Sequence, residues 1–438
     1  MHIRGKKMER IIANEGKSGY HIVTSQFAHE AELYAASQLK IYLEKASFAV
    51  IPYFSDRCEK RTPEIRVGRN VRGNTDRSDG IGDEGFKIYT DGEDIVICGR
   101  TPRGTVYGVY RFLEEIIGFR CFTKDIEAFD KRGKITVSNI DITENPSFEY
   151  RDTYFRGAFD CDYAVKNRLN SSLALIPNEK GGRTKFYNFH HSFYDILPPD
   201  IYFDEHPEYY SLVDGVRLKQ NGQLCLTNED AVNEAIKRVK EWIRSRPDCK
   251  VFSVAQNDWS NNCTCPKCRE TDEKEGSPSG SIIYFVNRIA EEIEKEYPDV
   301  LIHTFAYQYS RKAPKFIRPR DNVIVRLCNI ECSWDENLRE KKANSPESYT
   351  AEFVGNITDW GKISKHLYIW DYACNFSYYI LPFPNYYILA DNLRYYKECG
   401  VSGILEQGNF SYGAATGLAE LEAYLCARLM WNTDLDVK

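Results

Sequence analysis

Apolar and polar positions in the second half of the chain form a pattern typical of parallel β/α units. Short apolar runs of strand length alternate with stretches whose apolar residues recur at helical spacing. Strands are predicted at 150–154, 172–175, 223–226, 251–255, 302–306, 323–327, 367–370 and 403–405, and helices at 229–243, 281–296, 352–363, 387–399 and 418–430. Eight strands favour a TIM-like (β/α)8 barrel over residues 145–438 rather than an open sheet, although only the later helices are clear.

The first 140 residues predict a small α/β sandwich domain that precedes this barrel. Strands are expected at 21–25 and 64–67, a helix at 28–44, and a hairpin of 86–89 with 95–98 across Asp91-Gly92. Thr101 is expected to cap a second helix that ends at Gly118. The turn at 99–104 carries two arginines and could hold an anion, but a tight turn before a capped helix explains it as well. We therefore predict no catalysis in this domain.

Composition and net charge argue against some classes of binding partner. The 438 residues suggest two domains, and the net charge of −6 gives no general attraction to nucleic acid or to an anionic membrane. Thirteen per cent of the residues are aromatic, which suits sugar stacking but also ordinary cores. No apolar run is long enough to cross a bilayer and no signal core follows the first residues, so we expect a cytoplasmic protein with mostly reduced thiols. A removed leader would leave the same sequence.

The stretch 251–258 carries the main functional signal. It begins as a buried strand and ends in Gln256, Asn257 and Asp258, followed by Trp259. Polar groups also follow later predicted strands: Tyr307 and Gln308, Glu331, Asp371, and Glu406. Because the carboxyl ends of barrel strands share one face, these side chains are expected to converge there.

Two carboxylates across a glycosidic bond are the minimum apparatus of a glycosidase. We predict Asp258 as general acid, because its polar and aromatic neighbours could raise its pKa, with Glu406 as base or nucleophile and Asp371 binding or polarising the substrate. A loop cap is the alternative for Asp258, and orientation of a sugar hydroxyl is the alternative for the other two. The predicted substrate-binding residues are Asn257, Trp259, Tyr307, Trp334, Trp370 and Tyr372, with His190 and His191 from the long segment 177–222, where a structural role is an equal alternative.

Three cysteines lie close together just after this strand. Cys263, Cys265 and Cys268 surround a proline as in a zinc knuckle, yet a tetrahedral structural site needs a fourth ligand, which would have to be a distant cysteine. A disulfide within the loop and reduced packing thiols are the alternatives. No cofactor is expected for catalysis itself.

Several motifs also carry a family resemblance. Residues 31–36, 65–68 and 103–110 resemble the non-catalytic domain before the barrel of α-glucuronidases and β-N-acetylhexosaminidases. Residues 253–259, 263–268, 276–280, 306–309, 382–385 and 406–408 resemble, in order and spacing, the bacterial family named domain of unknown function 4838. The resemblance implies a glycoside-hydrolase-like barrel and carbohydrate chemistry, without naming the sugar.

One position departs from the hexosaminidase pattern. Hexosaminidases carry two adjacent acids at the corresponding strand end, whereas Asn257 precedes Asp258 here. An amide cannot bear the charge that develops during substrate-assisted cleavage, so a two-carboxylate mechanism is the better prediction. We therefore expect an exo-acting glycoside hydrolase that binds carbohydrate and neither nucleic acid nor membrane. A catalytically silent carbohydrate-binding protein and a metal-dependent hydrolase are the alternatives.

Overall fold

The computed structural model describes residues 9–69, 71–72, 79–341, 348–379, 381, 383, 385–411 and 418–437. Its chain divides into two compact units. The first comprises Met1–Glu149, Tyr154–Arg183 and Phe410–Leu435, and the second comprises Tyr150–Thr153, Thr184–Asn409 and Asp436–Lys438. These units differ from the predicted domains 1–140 and 145–438, because two later segments group with the amino-terminal part. None of the helices in the described ranges is long and apolar enough to cross a lipid bilayer.

The first unit is an α/β structure built on a mixed sheet. Its strands are β1 (Arg10–Asn14), β2 (Lys17–Ser18), β3 (His21–Thr24), β4 (Tyr53–Ser55), β5 (Glu64–Val67), β6 (Phe86–Asp91), β7 (Asp94–Gly99), β8 (Arg120–Cys121), β9 (Glu127–Ala128), β10 (Lys134–Val137) and β11 (Asp141–Glu144). Its helices are α1 (Glu30–Ser47), α2 (Pro102–Ile117), α3 (Cys161–Lys166) and, near the end of the chain, Ala419–Trp431, with 3-10 turns at Arg156–Phe159 and Asn178–Lys180.

Local sequence signals explain these elements. The six-stranded sheet has the order β11-β6-β7-β5-β3-β4, and β6 turns into the antiparallel β7 at Gly92, whose φ of 62° suits a hairpin glycine. Thr101 caps α2 by accepting the Gly104 N–H, and Gly118 ends it with a φ of 64°. The predicted helices and hairpin of this part of the chain are confirmed.

Buried charge joins the two later segments to this unit. Glu114 on α2 is buried and forms ion pairs with Arg168 and Arg428, which come from those segments. Burial alone would raise the pKa of Glu114, but the two guanidinium groups outweigh it and lower the pKa from 4.5 to about 2. Trp431 stacks on Phe86, with ring centroids 5.7 Å apart. These contacts join residues that lie far apart in the chain, so the pattern of apolar and polar positions does not reveal them.

The second unit is organised around parallel strands. Its strands are β12 (Tyr150–Asp152), β13 (Phe186–Tyr187), β14 (Leu212–Val213), β15 (Val216–Arg217), β16 (Val251–Ser253), β17 (Leu301–Ala306), β18 (Val323–Cys328), β19 (His366–Tyr372) and β20 (Val401–Gln407). Its helices are α4 (Phe193–Ile196), α5 (Pro199–Tyr202), α6 (Glu229–Ser245), α7 (Pro266–Glu275), α8 (Ser279–Glu294), α9 (Tyr349–Ile363) and α10 (Leu389–Glu398). Its 3-10 turns lie at Pro207–Tyr209, Gln308–Ser310 and Leu338–Glu340. The label α11 denotes the helix Ala419–Trp431 of the first unit.

Seven of these strands form a curled half-barrel. Their order is β12-β20-β19-β18-β17-β16-β13, all pairs being parallel. The α/β class with a barrel-like sheet is confirmed, as are six predicted strands and the five predicted helices. The rings of Tyr150 and Phe186, on the two edge strands, lie 5.3 Å apart. Among the described residues, however, no strand pairing joins those two edges.

Two of the eight predicted strands are wrong. At 172–175 the chain bends, and the Ser171 hydroxyl accepts the Leu173 N–H, a bond that favours a turn. At 223–226 only an isolated bridge from Leu224 to Tyr210 forms. The place beside β16 is taken instead by β13, whose two residues are too short to give a strand pattern.

One buried cation lies at the centre of the half-barrel. Arg326 on β18 is fully buried, and its guanidinium lies 4.6 Å from the Phe189 ring centroid and between 5.2 and 5.8 Å from four others, those of Tyr150, Phe186, Tyr368 and Trp370. We call the side of the sheet that carries these rings the aromatic face. Burial lowers the pKa of Arg326, and cation–π attraction from the rings offsets part of that cost.

We expect Glu114→Gln to destabilise the first unit strongly, because it leaves the buried Arg168 and the partly buried Arg428 without the carboxylate that they share. The loss should be about 3–5 kcal/mol, measured by urea unfolding. Glu115→Gln, on the exposed side of the same helix, should cost less than about 0.5 kcal/mol.

The pH dependence gives this ion pair a second test. The folded pKa of Glu114 lies below its ordinary value, so its stabilisation is present above about pH 4.5 and is lost as pH falls towards about 2. The stability difference between wild type and Glu114→Gln should therefore shrink over that range. A difference that stays constant with pH would contradict the charge-based account.

Candidate functional site

The candidate site begins at Asp258, in the segment that leaves β16 at the carboxyl end of the sheet. Its side chain is 61% exposed, so it is open to a ligand. The Tyr307 hydroxyl, just after β17, donates a hydrogen bond to Asp258 Oδ1 at 3.0 Å. The His191 Nε2 atom lies 3.8 Å from the same oxygen, while the Nδ1 atom of that ring lies 2.6 Å from the Gln256 carbonyl oxygen. Three separate segments therefore meet at one accessible carboxylate.

Buried amides hold the backbone on either side of Asp258. Gln223 accepts the Asn257 N–H at 2.8 Å and donates to the Asn257 carbonyl at 2.9 Å. The Asn257 side chain donates to the Gly222 carbonyl at 2.9 Å and accepts from the Tyr194 N–H at 3.3 Å. Asn257 is thus buried and engaged with backbone groups. Its predicted contact with substrate stays a prediction, and its observed contacts are those of a loop anchor.

A second carboxylate, Glu331, follows the end of β18, and its charge acts on two groups that Asp258 also influences. Burial raises the pKa of the Tyr307 phenol, and the negative charges of Asp258 and Glu331 raise it further. Burial likewise raises the pKa of the Cys328 thiol, although the positive charge of Arg326 acts to lower it. The negative charges of Glu331 and Asp258 add to the rise in this pKa. Arg311 donates to Glu331 Oε2 at 2.8 Å. The sequence marked Glu331 as a strand-end acid, but gave no reason to choose it over the others.

Asp371 and Glu406 lie on the opposite side of the sheet. Asp371 accepts hydrogen bonds from Asn329 at 2.6 Å and from the Tyr396 hydroxyl on α10 at 2.5 Å. Glu406 is its register partner on β20, and its charge also raises the pKa of Tyr396, after burial and Asp371. Both acids therefore face α10, and we call this side the helix face. The hydrogen bonds described for Asp371 are with Asn329, Tyr372 and Tyr396.

Aromatic side chains line the other side near the strand ends. Trp334 and Tyr372 stack with ring centroids 4.7 Å apart, and the Trp334 indole donates to the Asn329 carbonyl at 3.0 Å. Trp370 donates to the Gln407 side-chain oxygen at 3.0 Å and packs against the cluster that contains Phe305. Trp259 is 48% exposed beside Asp258. Trp259 thus offers an accessible ring next to Asp258, whereas the stacking roles of Trp334, Trp370 and Tyr372 stay predictions.

The two predicted histidines differ in environment. The His190 ring lies 6.1 Å from that of Trp370, and the His191 ring lies 5.8 Å from that of Tyr307. His190 has an exposed edge, yet desolvation by the surrounding protein, followed by the positive charges of Arg326 and His191, lowers its pKa to about 4. His190 is therefore a neutral imidazole near pH 7, able to donate or accept a hydrogen bond.

The three cysteines predicted as metal ligands acquire a fourth neighbour. The sulfur atoms of Cys225, Cys263, Cys265 and Cys268 all lie within 4.8 Å of one another, and all four residues are buried. The sequence did not identify Cys225, because it lies far upstream in a segment predicted as a strand.

A cavity of about 790 Å³ lies in the first unit. It is lined by aromatic and charged side chains that include Phe155, Arg156, Asp160, Tyr163 and Arg183. None of the residues predicted from the sequence to act in catalysis or binding lines it.

Comparison with known proteins gives the family. The sequence profile described as "Domain of unknown function (DUF4838)" matches residues 121–438. The chain belongs to the DUF4838 family. This confirms the resemblance seen in the motifs, of which Pro382 and Pro384 lie outside the described residues. No curated protein sequence matches this DUF4838 chain.

Solved structures share the fold at low identity. A family GH115 4-O-methyl-α-glucuronidase, with specificity for decorated arabinogalactans, matches with a TM-score of 0.56 and 11% identity over 97% of this chain and 57% of that protein. This DUF4838 chain thus spans little more than half the length of the glucuronidase. A chitobiase of Flavobacterium johnsoniae (FjGH20) matches with a TM-score of 0.49 and 12% identity, over 97% of this chain and 68% of the chitobiase. CpGH84B matches with a TM-score of 0.47 and 14% identity, over 99% of this chain and 71% of that protein. The likeness to the glucuronidase shows a glycosidase-like scaffold.

We expect His190 to remain neutral down to about pH 4, where an ordinary histidine with a pKa near 6.5 would be charged. Its ring nitrogen shifts, followed by NMR, should move only below pH 5. Arg326→Met removes a nearby positive charge and should shift the titration upward. Protonation of His190 near pH 6.5 in the wild type would contradict this description of the site.

Proposed function

We propose that the protein is an exo-acting glycoside hydrolase that uses Asp258 and Glu331 as its two carboxylates. The observation that carries the proposal is the Tyr307 hydroxyl, which donates to Asp258 at the end of β17, the strand between the two that Asp258 and Glu331 follow. The negative charges of both acids also raise the pKa of Tyr307, after burial. Ligands bind at this end of parallel α/β sheets. The fold shared with a GH115 glucuronidase supports a glycosidic substrate.

Asp258 is suited to the role of general acid. Its carboxyl group is exposed, held on one side by Tyr307 and close to His191, so its other oxygen can reach a leaving group. In this role Asp258 donates its proton to the glycosidic oxygen as the bond from that oxygen to the anomeric carbon breaks. A water molecule then supplies the new hydroxyl group, and a carboxylate takes up the proton that the water loses.

Glu331 is suited to the role of the second carboxylate. An ion pair with Arg311, which also lies 3.0 Å from Glu352, holds the Glu331 carboxylate. A fixed carboxylate stabilises the positive charge that develops on the sugar ring, and it activates water or attacks the anomeric carbon. The earlier candidates for this role, Glu406 and Asp371, make their contacts on the helix face instead.

Residues of the candidate site offer both stacking and polar contacts to a sugar. Trp259, Trp334 and Trp370 offer ring faces for stacking, and the neutral His190 offers a polar group for a hydroxyl or carboxylate of the sugar. Asn257 has its amide engaged by backbone groups and offers no second charge beside Asp258. These contacts support two-carboxylate hydrolysis over cleavage assisted by an acetamido group. Because the glucuronidase acts on a uronide, uronides are the first substrates to test.

We expect the purified protein to hydrolyse at least one glycoside in a panel of aryl uronides, hexosaminides and hexosides. Asp258→Asn and Glu331→Gln should each lower kcat by about 10²–10⁴-fold, the usual contribution of a positioned acid or base. Activity is measured by release of the aryl group, and circular dichroism establishes that each variant is folded.

Glu406→Gln and Asp371→Asn are the matched controls on the helix face. They change the same functional group, and we expect them to lower stability more than kcat, since Asp371 accepts three hydrogen bonds. A large kcat loss in Glu406→Gln with none in Glu331→Gln would refute the choice of acids. Sugar binding by wild type and Asp258→Asn alike, without turnover on any substrate, would instead identify a carbohydrate-binding protein.

A further inference from the structure

We infer that Cys225, Cys263, Cys265 and Cys268 together bind one structural Zn²⁺ ion as thiolates. Their side chains are between 1 and 7% exposed, and the buried cluster consists of these four cysteines alone, with Leu212 packed against it. The inference concerns a site separate from the catalytic proposal, so it can hold or fail independently.

The geometry fits a tetrahedral metal. With Zn–S bonds of about 2.3 Å, the sulfur atoms of a zinc tetrathiolate lie about 3.8 Å apart. The four sulfurs here all lie within 4.8 Å of one another, and Cys225 and Cys265 are 3.6 Å apart. Small shifts of the side chains therefore suffice to close the coordination sphere. A set of four sulfur ligands suits zinc, and leaves no open position for catalysis.

The neighbours of the sulfur atoms suit thiolates. The Leu212 N–H donates to Cys263 Sγ at 3.3 Å, and Arg217 Nη1 lies 3.9 Å from the same sulfur. The Thr227 hydroxyl lies 3.2 Å from Cys268 Sγ. Zinc with four thiolates carries a net charge of −2, and a guanidinium with donors around the sulfurs compensates it. Neutral thiols are weak acceptors and would gain little from such neighbours.

The position of the cluster gives the metal a structural role. Gln223, two residues before Cys225, holds Asn257 on both its backbone N–H and its carbonyl. Cys263 follows Asp258 by five residues, and Cys265 is the residue before α7. A metal that joins Cys225 to the later three cysteines therefore closes a loop around Asp258. On the proposed function, zinc would hold the catalytic acid in place without touching the substrate.

The test measures metal in the full-length chain. We expect elemental analysis of the purified protein to find one zinc per chain, and Cys225→Ser to lose most of it. Cys225→His, which restores a zinc ligand, should recover binding. Cys249→Ser changes a buried cysteine outside the cluster and should keep the wild-type zinc content. Replacement by Co²⁺ should give the absorption of a tetrahedral thiolate site.

Each contrary result has a definite meaning. Four free thiols that react with a thiol reagent in a protein without zinc, or a disulfide mass in the 263–268 peptide, would overturn the inference. Iron in place of zinc, or full zinc retention by Cys225→Ser, would overturn the assigned metal or ligand set. Zinc binding without glycosidase activity in any variant would leave this inference standing and would count only against the proposed function.

Discussion

The alternation of side chains along parallel strands decides what the half-barrel can present to a ligand. Asp371 and Glu406 are register partners on β19 and β20, and so are their neighbours Tyr372 and Gln407. Because successive residues point to opposite sides of a sheet, the first pair faces α10 and the second faces the aromatic side. Acids within these strands are therefore committed to packing. Asp258 and Glu331 lie beyond the strand ends, where alternation no longer fixes the direction of a side chain.

The interior of the half-barrel reinforces this division. Arg326 and the five rings around it pack together on the aromatic face. The positive charge of Arg326 also contributes to the low pKa of His190. Arg326 therefore acts both as a core residue and as a charge that helps to keep His190 neutral.

The sequence predicts the scaffold better than the site. Periodic apolar runs predict six of the seven half-barrel strands and the helices α6, α8, α9, α10 and α11, but not α7. The expectation that polar groups at strand ends converge led to Asp258 and Tyr307, which share a hydrogen bond. Two features of the second unit could not be predicted from the sequence. The short β13 carries no periodicity of its own, and only register shows that Glu406 shares a side of the sheet with Asp371. The position of Cys225 beside Cys263 could not be predicted either, since nothing near Cys225 in the sequence marks it as a partner of that cysteine.

The most direct test of this account is a crystal structure of Asp258→Asn with an intact glycoside bound. The account predicts a sugar on the aromatic face at the strand ends, with its glycosidic oxygen within about 3 Å of the side chain at position 258 and the Glu331 carboxylate beside its anomeric carbon. A sugar bound on the helix face near Glu406, or in the cavity of the first unit, would contradict it.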